Sequence, residues 1–169
     1  MSPLRTWAVG AAVLGLAACV VPAGDARSDV KVPDRDSFAV VAQVLVRHCG
    51  SLDCHGNTYR NLRIYGNEGL RSNAKDRPLS PECTTDDEVQ RDYDSLVGLE
   101  PEVLTKVVAD RGARPERLTF IRKARGTEAH KGGALMKPGD DIDDCLTSWL
   151  ESRVAEDACA RALPESTCL

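Results

Sequence analysis

The chain has 169 residues, seven of them cysteine, and a formal net charge of −4. That acidic balance argues against nucleic acid as a partner, since like charge repels a polyanion. Aromatic residues supply only 4% of the chain, which leaves a thin core of its own, and disulfides or a buried cofactor are two ways to make up the deficit.

Residues 1–18 read as an export signal. Arg5 is their only charged side chain, and Trp7–Ala18 is an uncharged run of apolar or small residues. The run is too short to cross a bilayer as a helix but suits the core of a signal peptide. It closes on Leu16-Ala17-Ala18-Cys19, which resembles the lipobox of bacterial lipoproteins. The resemblance implies that Cys19 is acylated and becomes the first mature residue, so the membrane is a partner through a lipid anchor. Val20 in place of Asp after that Cys points away from the inner membrane, which gives a cell-envelope location at the outer membrane, on its periplasmic side or at the cell surface. The rival is an ordinary secretory signal cut near Ala18 or Ala23, with Cys19 discarded.

Residues 19–35 hold Pro22 and Pro33 and show no helical or strand period, so they read as a flexible tether reaching roughly 20 to 24 Å. Residues 36–169 form the domain. Asp36 or Ser37 caps a helix running to about His48, with Phe38, Val41 and Leu45 on its apolar face. Residues 56–81, rich in Gly, Asn, Arg and Pro, read as a long loop with a short hairpin. Asp86–Leu99 is amphipathic, and Pro101 opens a further helix to about Ala109. Pro115–Arg125 is helical, Gly126–Gly139 is a loop, and Asp140 or Asp141 caps a last helix to about Val154. The result is an all-α domain with long loops.

The stretch Cys49-Gly-Ser-Leu-Asp-Cys54-His55-Gly56 carries the most chemistry. Two thiols followed by an imidazole can hold one haem c covalently, the thiols as thioethers and the His as proximal axial ligand. The usual spacing is C-x-x-C-H, and here four residues separate the cysteines. A distal ligand must come from elsewhere. Candidates lie in Glu128–Pro138, with His130 favoured and Met136 the alternative, because Lys137 separates that Met from Pro138.

The order Cys49 to His55, then His130 or Met136, then Trp149, is similar to a single-haem cytochrome c domain of the kind carried by bacterial lipoproteins. The closing pattern His130-Lys131-Gly132-Gly133 followed by Trp149-Leu150 matches that family's ending. The resemblance covers about residues 37–152 and implies a small cytochrome c-like fold. It also implies electron transfer to a redox partner protein, since two axial ligands leave no open position for catalysis.

Lipid takes one cysteine and the haem motif two, which leaves Cys83, Cys145, Cys159 and Cys168 for two disulfides. Three connectivities are open. The short interval from Cys159 to Cys168 favours a local C-terminal loop, with Cys83 then joined to Cys145. The rival count pairs all six cysteines beyond Cys19, closes Cys49 onto Cys54, and yields a cofactor-free, disulfide-stabilised lipoprotein serving as a structural or interaction module. A zinc site from His48, Cys49, Cys54 and His55 is weaker, because neighbouring side chains rarely converge on one ion. Arg60, Arg63 and Arg71 near the motif are expected to be solvated, and Asp140, Asp141, Asp143 and Asp144 to serve capping rather than calcium.

Overall fold

The computed structural model describes residues 29–78 and 83–164. Among them are six α-helices and no strand: α1 Phe38–Cys49, α2 Asp86–Val97, α3 Pro101–Ala109, α4 Thr119–Ala124, α5 Asp141–Leu150 and α6 Glu156–Arg161. None is long and apolar enough to cross a membrane. Cys19, the signal and most of the tether lie outside the described residues, as does Cys168.

Helix α1 is central. Its apolar period buries Phe38, Val41, Ala42, Val44, Leu45 and Val46, which pack into one core with α2 and α5. At its N-terminal end Phe38, Tyr93 and Trp149 form a ring cluster, with Phe38 centred 4.8 Å from Trp149 and 5.4 Å from Tyr93. The polar tips of this cluster reach back to the main chain. Trp149 Nε1 donates to Asp34 O at 2.9 Å, and the Tyr93 hydroxyl donates to Pro33 O at 2.9 Å. The last residues assigned to the tether are therefore fastened to the core, and Pro33 is buried.

Residues 56–78 hold no hairpin, only an isolated bridge between Tyr65 and Leu70. Carboxylates on α2 order this loop instead. Glu88 is fully buried, completes the capping box with Thr85, and accepts from Arg71 Nε at 2.7 Å and from the Ser72 N–H at 3.0 Å. Burial alone would raise the Glu88 pKa, but these bonds and that of Thr85 outweigh it and hold the carboxyl below its ordinary value. Arg71 is accordingly buried, not solvated as its polar loop implied. Four residues on from Glu88, Asp92 accepts the Tyr65 N–H at 2.6 Å.

The expected helix Pro115–Arg125 is split: a 3-10 turn, Pro115–Arg117, precedes α4. The last expected helix also ends early, at Leu150, where the chain reverses through Ser152 at φ 58°. A short α6 follows that periodicity did not show. It is held by a Cys145–Cys159 disulfide, with Cα atoms 4.7 Å apart, and by His48 Nε2 against Ala162 O at 2.8 Å. The favoured pairing of Cys159 with Cys168 and Cys83 with Cys145 is thus overturned. The reversal after α5 brings Cys159 back over Cys145 first. Cys83 is also disulfide-bonded.

A two-thiol, two-imidazole cavity

Helix α1 delivers Cys49 and stops at Gly50. The loop then doubles back on itself. The N–H groups of Cys54 and Gly56 both donate to Ser51 O at 2.9 Å, and the His55 N–H returns to Cys49 O at 2.9 Å. Arg60 clamps the outside, with Nε on Cys54 O and Nη2 on Asp53 O, both at 3.0 Å. This closure makes four intervening residues compatible with two thiols on one wall, because Ser51, Leu52 and Asp53 bulge into solvent. Gly56 is required here, since a Cβ would run into the Gly50 carbonyl oxygen.

Cys49 and Cys54 are free thiols. The Cys49–Cys54 disulfide of the cofactor-free alternative is not formed. Burial, with some repulsion from Cys54, pushes the Cys49 thiol up to about 12, so it is held protonated.

His55 is fixed through its second ring nitrogen. Nδ1 lies 3.0 Å from Leu62 O, and a carbonyl can only accept, so Nδ1 carries the proton and Nε2 keeps its lone pair. The Leu62 strap is pinned in turn, by the Ile64 N–H on His55 O at 2.9 Å and the Arg63 N–H on Ser95 Oγ at 2.9 Å. Desolvation moves the His55 pKa below its ordinary value, with His130 and Arg60 assisting and the Leu62 bond opposing. The ring is therefore neutral at pH 7 and able to act as a ligand.

His130 arrives from the glycine-rich loop after α4. Its ring faces that of His55, with centroids 5.9 Å apart and planes 22° from parallel. His130 Nδ1 is buried and has no hydrogen-bond partner among the described residues.

Both histidines and both thiols line one cavity of about 650 Å³. That lies within the range of cofactor sites, roughly 300–1,000 Å³. Its other walls are largely apolar: Leu45, Leu62, Leu99, Phe120, Leu135 and Leu146. Glu100 also borders it but is occupied, accepting from the N–H of Thr119 at 2.6 Å and its hydroxyl at 2.8 Å. Lys123 and Lys131 are the cations on the His130 side.

The remaining sequence candidates lie elsewhere. Met136 is 2% exposed, packs in the core and does not line the cavity. His48 is bonded to Ala162 on α6 and is not available to a zinc site with the two cysteines. Among the described residues, no three His, Cys, Asp or Glu side chains converge to hold a bare metal ion. Arg63 donates to Arg60 O at 3.3 Å. Asp140 caps α5 by accepting the Asp143 N–H at 2.9 Å, and Asp143 takes Arg125 at 2.7 and 2.9 Å. Residue-type reasoning missed the Leu62 carbonyl and the Phe120 wall. The first is a main-chain atom with no signature, and the second sits on a helix too short to show a period. No protein-family model matches the chain, and neither does any curated protein or solved structure.

Proposed function

We propose that this chain is a single-haem, c-type electron carrier of the cell envelope, anchored by lipid on Cys19. One observation carries the reading. His55 and His130, far apart in the chain, meet nearly parallel across an apolar cavity that two unjoined cysteines also line. A porphyrin brings four nitrogens of its own, so it needs only two axial ligands from the protein, and a set too small for a bare ion suffices. Cys49 and Cys54 would hold the group as thioethers, with His55 proximal and His130 distal. When bound, it would supply reversible one-electron transfer.

The chain's own residues supply the rest. Leu62 O orients the His55 ring and raises the basicity of its Nε2. The apolar walls exclude water and lower the local dielectric around whatever the imidazoles hold. Arg60 keeps the cysteine loop closed by bonding two of its carbonyls. A redox partner protein, near the outer membrane, would complete the function.

The test is expression in cells carrying the haem-attachment machinery. A positive pyridine haemochrome and a polypeptide mass raised by one haem are expected. A bare polypeptide mass, with Cys49 and Cys54 joined in non-reducing peptide maps, would refute the reading in favour of the cofactor-free module.

A further inference from the structure

The two imidazoles are held very unequally. His55 has its ring bonded to Leu62 O, its N–H to Cys49 O, and its carbonyl to the Ile64 N–H. Among the described residues, His130 has its carbonyl engaged by the Gly133 N–H at 3.0 Å, while its ring Nδ1 is buried with no hydrogen-bond partner. An imidazole whose second nitrogen donates to a carbonyl is the stronger ligand, and one without that support is weaker.

The chain around His130 differs in the same sense. Gly126 at φ 70° and Gly133 at φ 69° bracket it, and residues 129 and 131–134 are exposed. Moving His130 outward would therefore uncover little apolar surface besides its own ring. The anchors on either side are Lys123 Nζ on Ala129 O at 3.1 Å and, beyond it, the N–H groups of Leu135 and Met136, which both reach Ala124 O.

We propose that His130 is an exchangeable ligand and that the position it vacates binds small uncharged molecules such as carbon monoxide or nitric oxide. This rests on the haem reading above. Leu99, Phe120, Ala124 and Leu135 offer no hydrogen-bond donor there and the Thr119 donors are taken by Glu100, which suits a neutral diatomic that needs none, while Lys123 and Lys131 border the same side and leave anion binding as a competing outcome.

The experiment uses holoprotein already shown by pyridine haemochrome to carry covalent haem, so that failure at that step refutes the haem reading itself. The reduced protein is mixed anaerobically with carbon monoxide over a range of concentrations. The expected result is complete binding with a rate that levels off at high carbon monoxide, limited by departure of His130. In His130→Ala the rate should stay proportional to concentration and be at least tenfold faster at the highest level. If that variant does not fold, the wild-type concentration dependence decides alone. No spectral change under saturating carbon monoxide over hours, or a strictly proportional rate in the wild type, overturns the proposal.

Discussion

Replacing Cys145 and Cys159 together by alanine should destabilise the domain by about 3 kcal/mol. The bond closes a sequence separation of 14, and the chain entropy released by opening a loop of about that length corresponds to about 3 kcal/mol at 25 °C. Both cysteines are fully buried, so lost packing adds to this figure and makes it a lower bound. In a domain of this size the loss should lower Tm by about 6–12 °C. The paired variant is preferable to a reductant, because Cys83 sits in a different disulfide that it leaves intact. Calorimetry and urea titration of the purified domain would measure the change. A Tm within about 2 °C of the parent would refute the reasoning, showing that His48 and the burial of Ala158 and Cys159 dock α6 unaided.

Three further outcomes are expected. Burial raises the Asp92 carboxyl to about 8, with Glu88 adding to the rise and the Tyr65 N–H opposing it. From about pH 4 to about 8 the folded chain therefore holds a proton that the unfolded chain has lost, and this group's contribution to stability falls as pH rises. Asp92→Asn should remove that fall, so the variant gains on the parent between pH 5 and 8.5 in urea titrations; a constant difference would contradict the assignment. Arg125→Leu strands a nearly buried Asp143 and should cost about 3 kcal/mol by the same titration. Gly56→Ala forces a Cβ against Gly50 O and should open the cysteine loop, read as faster alkylation of Cys54 in the apoprotein, with no change in rate refuting the close approach.

Helix α1 was legible because its buried side consists of apolar residues at helical spacing and Gly50 stops it, although the expected cap is not made, since Ser37 at the N-cap position forms no side-chain cap bond. Helix α6 was not, since six residues with only Ala158 and Cys159 buried carry almost no period, and a disulfide fixes their place. Residues 56–78 misled for another reason. Their polar composition signals solvent exposure, yet Arg71, Glu88 and Asp92 are buried and order them through hydrogen bonds. At the site, thiols and imidazoles announce themselves by residue type, so Cys49, Cys54, His55 and His130 could be named in advance. What brings them together is main-chain geometry, the return of the His55 N–H to Cys49 O and the Leu62 carbonyl under the ring, and no side-chain code records it.

The aromatic fastening of Pro33 and Asp34 gives the molecule a front and a back. The N-terminal segment meets the core beside Phe38, Tyr93 and Trp149, at one end of α1, whereas Cys49 ends that helix about 18 Å further on. Anything that grips the protein upstream of Pro33 pulls on the back, and the cavity wall that holds Cys49 stands a full helix length away. Tension on that segment would load Trp149 and Tyr93 before it reached the imidazoles, so the cavity is mechanically sheltered from a pull on the N-terminal side.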